Sequence, residues 1–318
     1  MTTSPEALVI TGPTSSGKTA LSIPVARQCN GEIISMDSRQ VYQGMDIGTD
    51  KASPQARGEV PHWGLDVVDP SVRYSAAAWA AMARETMKEI RMRGRTPILV
   101  GGTGFYLRAL THPVFREPPM DRGRRRALER WLGERPREEL EAWLDELDPD
   151  RSLLAQEGGR QRMIRTLEVA LLTGRPLSWW HRNAPPQDEP VPLAVVRLEL
   201  PRDLLYRRIN ERAEEMFRSG LLQEVERLLT AGFTPQDPGM TATGYREAAK
   251  VLAGELSVEE AVLAVQRATR RYARRQITWF RHQLPERWVH HLDATLSLEE
   301  QVARVVEWWE RIGPEVEG

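Results

Sequence analysis

The run Gly12-Pro13-Thr14-Ser15-Ser16-Gly17-Lys18-Thr19 constrains this chain more than any other stretch. It fits GxxxxGK[ST] and lies between an apolar segment, residues 7–11, that reads as a buried strand, and a helical pattern over 18–29. Glycines at both ends let the backbone wrap an anion with its amides turned inward. The helix that follows brings the positive end of its dipole, Lys18 a mobile charge, and Thr19 a hydroxyl suited to magnesium. Strand, loop and helix in that order belong to a parallel sheet, so one motif limits both the fold and the ligand. The ligand is a phosphate or pyrophosphate, and Gly12, Thr14, Ser15, Ser16, Gly17, Lys18 and Thr19 form its cradle.

The rest of the chain agrees with that sheet. Residues 32–36, 97–100 and 193–200 are short apolar runs, and 76–92 has helix composition. Pro201 with Asp203 starts a further helix, and Leu205, Ile209, Ala213, Met216, Leu221, Val225 and Leu228 mark an amphipathic region interrupted at Gly220. Strands interleaved with helices imply a parallel sheet covered on both faces. Between about 115 and 186 no strand pattern occurs, and Pro118-Pro119 and Ala184-Pro185-Pro186 bracket a set of charged helical stretches. The expectation is an α/β fold, a P-loop NTPase-like parallel sheet core with an inserted small all-helical domain. Its parts are the first part of the core over 1–115, the insert over 116–188, and a second, mostly helical part of the core over 189–318.

Composition narrows the class. With 41% hydrophobic and 28% charged residues among 318, the chain has the balance of a globular protein. No apolar run approaches the roughly 18 residues of a spanning helix, so no membrane is expected. No secretory signal is expected either, because Glu6 stands where a basic patch would be. A single cysteine, Cys29, excludes an intrachain disulfide and a thiolate metal cluster, which points to the cytoplasm. The net charge of −1 conceals an uneven distribution: of 44 basic residues only Lys18, Lys51, Lys88 and Lys250 are lysines. Six arginines and no acid lie between Arg267 and Arg281, so an anionic partner remains compatible with the neutral total.

Several side chains carry candidate chemistry. Asp37 follows the second strand, at the same end of the sheet as the phosphate loop; it either holds magnesium-bound water, takes a proton from a nucleophile, or caps a helix. Arg39 and Gln40 either bond a substrate edge or face solvent. Residues 98–100 run into Gly101-Gly102-Thr103 with no acid at the tip, which argues against ATP hydrolysis and leaves room for a different pyrophosphate ligand, with diphosphate as the leaving group. The block 269–281 spaces Arg270 and Arg274 on one helical face and Arg271 and Arg275 on the next. It reads either as a diphosphate and nucleic-acid contact or as an exposed basic helix with core aromatics. In the insert, Arg162 and Arg165 are three apart and able to grip a phosphate together, and Gln161 adjoins them. His62 reads as structural; the six histidines form no metal-binding pair.

Taken in order, these pieces resemble the bacterial tRNA dimethylallyltransferases, the IPP transferase family. The likeness runs nearly end to end, through the 12–19 loop, Asp37-Ser38-Arg39-Gln40-Val41-Tyr42, Ile47-Gly48-Thr49, Gly101-Gly102-Thr103-Gly104-Phe105-Tyr106, Gln161-Arg162, Arg165-Thr166-Leu167-Glu168-Val169, Thr173-Gly174, Gly244-Tyr245-Arg246-Glu247 and the 269–281 block. Asp50 departs from it, standing where that family usually has a small residue. The resemblance implies transfer of a dimethylallyl group from dimethylallyl diphosphate to adenosine beside the anticodon of tRNA, with Mg2+ as cofactor. It implies Asp37 as general base, aided by Thr103 and Lys18, and Arg270 and Arg274 as additional diphosphate ligands. Thr19 is the implied metal ligand. Ser38, Arg39, Gln40, Gln161, Arg162, Arg165, Arg246, Arg271 and Arg275 are implied to meet tRNA. A cytoplasmic monomer is expected.

Overall fold

A computed structural model of the chain describes residues 4–112, 118, 120–184, 186, 188–284 and 288–312. The elements run β1 (Ala7–Thr11), α1 (Lys18–Gln28), β2 (Gly31–Ser35), α2 (Pro54–Glu59), β3 (His62–Trp63), α3 (Ala76–Met92), β4 (Thr96–Val100) and α4 (Gly104–Thr111). Helices α5 (Arg122–Gly133), α6 (Arg137–Leu147), α7 (Pro149–Glu157), α8 (Arg160–Thr173) and α9 (Leu177–Asn183) follow without a strand among the described residues. The chain then returns through β5 (Leu193–Glu199), α10 (Arg202–Arg218), α11 (Leu221–Thr230), α12 (Tyr245–Leu252), α13 (Val258–Gln283), β6 (Val289–Asp293) and α14 (Leu298–Ile312). It divides into two compact units, residues 1–112 with 190–318, and residues 113–189.

All strand pairs of the first unit are parallel, in the order β3-β2-β4-β1-β5-β6. The period of two decides which face each residue covers. In β1, Ala7 and Val9 pack with Trp79, Ala83, Leu107 and Phe280, while Leu8 and Ile10 pack with Leu21, Val25, Val305 and Trp309. Helices α3, α4 and α13 therefore supply one apolar layer and α1 and α14 the other. Trp79 also donates from Nε1 to Ser35 O at 2.9 Å and stacks on Tyr106, which fixes the end of β2 just ahead of Asp37.

The sheet has two strands that the apolar runs do not reveal. β3 is only two residues long, and β6 reads Val-His-His-Leu-Asp; both are edge strands, half open to solvent, so neither needs an apolar run. The amphipathic region beyond Pro201 breaks at Gly220, whose φ of 101° ends α10 and lets α11 start in a new direction.

The second unit has its own core, in which Leu132, Leu140, Leu144, Met163, Ile164 and Leu167 are buried together. Asp121 caps α5 by accepting from Arg124 N at 2.7 Å. Glu168, almost wholly buried, is paired with Arg125 and with Arg165, the latter at 3.4 Å.

Candidate functional site

Because every strand runs the same way, the carboxyl ends of β1, β2 and β4 open on one side, and the turns that follow them converge there. A cavity of about 860 Å³ lies at that point, lined by Thr14, Ser15, Gly17, Lys18 and Thr19 from the loop, by Ser35 at the end of β2, and by Asp37 and Gln40 beyond it. Gly101 and Gly102 after β4, Arg208, Arg212 and Arg218 of α10, and Tyr272 and Gln276 of α13 line it as well, together with the acids Asp50, Glu211 and Glu215.

The loop is built to hold an anion. Ser15 and Gly17 take left-handed backbone, with φ of 62° and 98°, and Gly17 opens α1. The amides of the first turn, ahead of the bond from Leu21 N to Gly17 O, have no intrahelical acceptor. Lys18 Nζ folds back onto Gly12 O (3.1 Å) and Pro13 O (2.7 Å). The hydroxyls of Ser15 and Ser16 are buried with no protein partner, a cost of about 1–3 kcal/mol each that a phosphate oxygen would relieve.

The electrostatics suit the same ligand. Desolvation pulls the Lys18 ammonium down to about 8; Asp37 opposes that, Arg212 adds to it, and Asp50 opposes it. Arg212 donates from Nη1 to Thr14 Oγ1 at 3.0 Å and lies 3.7 Å from Asp50. The Tyr272 phenol is pushed up to about 12 by desolvation and then by the charge of Asp37, so it stays neutral, and its oxygen is bonded to the Thr103 side chain, which opposes that rise.

Asp37 caps no helix. Its Oδ1 accepts from Arg39 N at 2.8 Å, a turn two residues wide that aims the carboxylate into the cavity. Thr103 Oγ1 accepts from Ser38 N at 3.0 Å, so the β4 turn grips the chain beside the carboxylate. Gln40 is fully engaged: Oε1 accepts from Ser35 Oγ (2.8 Å) and Nε2 donates to Thr49 O and Asp50 O (both 3.1 Å). Arg39 reaches the other way, to Pro238 O at 2.9 Å and Thr241 Oγ1 at 3.4 Å.

The arginine block lies differently from its expected register. Helix α13 turns Tyr272 and Gln276 into the cavity, and Phe280 into the core; Arg270 and Arg274 do not line the cavity. Arg270 bonds Asn210 Oδ1 at 2.9 Å and lies over the Tyr206 ring, Arg275 lies over Tyr272, and Arg271 and Arg274 are exposed. The cavity's arginines come instead from α10, a helix read from sequence only for its apolar stripe. Arg208 and Arg212 are four apart along one edge of that stripe, the one signal that marks them. Arg246 is taken up by Glu247 at 2.6 Å. Within the second unit, Gln161 meets Glu129 and Arg162 meets Leu154 O, both at 3.5 Å.

Magnesium fits this donor set. Thr19 and Asp37 border one cavity with the phosphate loop, and magnesium is usually held by one or two protein oxygens together with substrate phosphates. The described residues contain no group of three or more His, Cys, Asp or Glu side chains placed to hold a metal ion by themselves.

A parallel sheet with a phosphate loop at one end of β1, and a carboxylate facing that loop across a cavity, defines a P-loop protein built to hold a phosphate or pyrophosphate group. Comparison with known proteins is more specific. The family description IPP transferase matches residues 40–283 and isopentenyl transferase matches 5–58. A tRNA dimethylallyltransferase of Geobacter sulfurreducens is 43% identical over 284 residues, covering 89% of this chain and 91% of that protein. The solved tRNA delta(2)-isopentenylpyrophosphate transferase of Staphylococcus epidermidis superposes with a TM-score of 0.68 at 34% identity, covering 96% of this chain and 98% of that one. A eukaryotic dimethylallyltransferase solved acting on tRNA gives a TM-score of 0.79 at 26% identity, covering 98% and 81%. The chain belongs to the IPP transferase family and is a transferase enzyme. No helix among the described residues is long and apolar enough to cross a membrane.

Proposed function

We infer that this chain transfers a dimethylallyl group from dimethylallyl diphosphate to N6 of the adenosine 3′-adjacent to the anticodon, position 37, in tRNAs that read codons beginning with U. One observation carries the reading. In a member of this family, the Asp37 carboxylate and the phosphate loop face one cavity, with no acid after β4 to support ATP hydrolysis.

Adenine N6 is a poor nucleophile, because its lone pair is delocalised into the ring. The site has to place it against the allylic carbon, accept its proton and hold the leaving group. Asp37 takes the N6 proton as the N–C bond forms, and the C–O bond to the donor breaks with its electron pair staying on diphosphate. The Ser15 and Ser16 hydroxyls, the loop amides, Lys18 and Arg212 meet that diphosphate. Thr103, bonded to Ser38 N and Tyr272, keeps the turn around Asp37 in place. Thr19 would hold magnesium, which would supply charge neutralisation on the diphosphate when bound.

The exposed Arg271 and Arg274 suit a tRNA backbone, as do Gln161, Arg162 and Arg165 of the helical unit, which we assign to the anticodon stem-loop. The single cysteine and the tRNA substrate support a cytoplasmic enzyme, and we take it to act as a monomer. The test is the mass of an anticodon stem-loop RNA after incubation with magnesium and dimethylallyl diphosphate. A gain of one dimethylallyl group on the target adenosine is expected with the wild type and not with Asp37→Asn. RNA that is bound but unchanged in mass would overturn the reading.

A further inference from the structure

Gln276 is only 6% exposed, and its carboxamide joins segments that are far apart in the chain. Oε1 accepts from Thr14 N at 2.9 Å, and Nε2 donates to Gly102 O at 2.8 Å. Thr14 belongs to the phosphate loop. Gly102 belongs to the turn after β4, whose next residue, Thr103, accepts from Ser38 N on its hydroxyl and donates from its own amide to Met36 O. Those two bonds fall on either side of Asp37.

The strands bring the two walls together only as far as Gly101, where Gly101 N meets Ile10 O (3.2 Å) and Thr11 Oγ1 donates to Gly101 O (2.8 Å). Beyond that Gly102 still lies close to Gly12 O, but no backbone bond joins the turn to Thr14, and the Gln276 amide makes that link. A side chain that accepts at one end and donates at the other is required there, which a carboxamide provides. Gly102 permits the approach, since a Cβ on it would lie 2.2 Å from Nε2. The bond also withholds the Thr14 amide from any ligand, an expense that a cradle built only for binding would not make.

We propose that Gln276 is a positioning residue for the transfer step, fixing the separation between the diphosphate cradle and Asp37. It acts through Thr14 and Gly102, and the inference rests on the transferase reading above. A displacement needs its reacting atoms about 3–3.5 Å apart, and a misplacement of about 1 Å costs on the order of 100-fold in rate. Slackening the tie should therefore slow the chemical step while each wall still binds its own substrate.

The experiment uses the full chain as Gln276→Met, near in shape but without donor or acceptor, and Gln276→Glu, which keeps the acceptor and loses the donor. Single-turnover prenylation of an anticodon stem-loop is measured alongside the dissociation constants of inorganic diphosphate and of the RNA. The expected result is a rate lower by about 30- to 300-fold at saturating substrates, with both dissociation constants within about threefold of wild type. A rate within about threefold of wild type in either folded variant would overturn the proposal, as would a diphosphate affinity that falls in proportion to the rate. Should both variants fail to fold, Gly102→Ala displaces the amide with Gln276 still present. The same split between rate and binding is expected of it, and an unchanged rate rejects the positioning role. An inactive wild type would sink the transferase reading together with this one; an active wild type with unaffected variants sinks the positioning role alone.

Discussion

Arg212 donates to Thr14 Oγ1 at 3.0 Å, so helix α10, which follows the fifth strand, closes the phosphate loop that follows the first. The same guanidinium stands 3.7 Å from Asp50 and lines the cavity that Lys18 and Asp37 share. A planar fork able to bond a loop hydroxyl and a diphosphate oxygen at once is not replaced by a point charge. Arg212→Ala is expected to lower kcat/KM for dimethylallyl diphosphate by about 100-fold or more, the scale of removing one donor from a developing anion. Arg212→Lys should recover only part of that. Steady-state kinetics at saturating RNA decide it; a Lys variant equal to wild type would mean that charge alone is used.

Lys18 carries a pH signature. Its ammonium is drawn down to about 8, so in the free enzyme it loses its proton as pH rises through that value. The charged form binds the donor, so kcat/KM for dimethylallyl diphosphate should fall above pH 8. Bound diphosphate stabilises the ammonium, which moves the same titration upward in kcat. A pH–rate profile with an alkaline limb in kcat/KM and a flatter kcat is the expected pair. Lys18→Arg, which does not titrate in this range, should abolish the limb while lowering the rate.

Asp37 faces the cavity with one oxygen held by the Arg39 amide. Asp37→Asn keeps the size and that acceptor but takes no proton. Its kcat is expected to fall by about 10²- to 10⁴-fold, the range for loss of a general base. RNA affinity, measured by filter binding, should stay within about threefold, because the carboxylate acts on one proton and not on the backbone.

How much of this was legible in the sequence follows from what each part needs. The phosphate loop and the strands β1, β2, β4 and β5 announce themselves, because a glycine-framed anion site and a doubly covered sheet both demand particular residues. β3 and β6 do not, since edge strands tolerate His and Trp. The register of α13 was hidden as well. Spacing shows that Arg270 and Arg274 share a face, but only packing shows that Tyr272 and Gln276 own the face turned to the cavity. Arg208 and Arg212 escaped notice because an arginine-rich chain gives no single arginine contrast.

Glu32 allows a test of stability apart from catalysis. It is buried in β2, receives Trp63 Nε1 at 2.7 Å and Arg93 Nη2 at 2.8 Å, and has Arg95 at 3.3 Å. Burial by itself raises its pKa, but the bonds from Arg93 and Trp63 and the charges of Arg93 and Arg95 outweigh that and hold it below the ordinary carboxylate value. A group depressed in the folded state contributes stability above its unfolded pKa and loses it as pH falls through the folded one. The wild type should therefore lose stability on acidification below about pH 4.5, with this group contributing. Glu32→Gln keeps an acceptor for Trp63 but meets two guanidinium groups without charge, a loss of about 1–2 kcal/mol at neutral pH, moderated because both arginines are part-exposed. Urea unfolding at pH 7 and at pH 4 measures both effects. The gap between variant and wild type should narrow at the lower pH; a gap that stays constant would show that the charge of Glu32 contributes nothing, and one that widens that its pKa is raised in the fold.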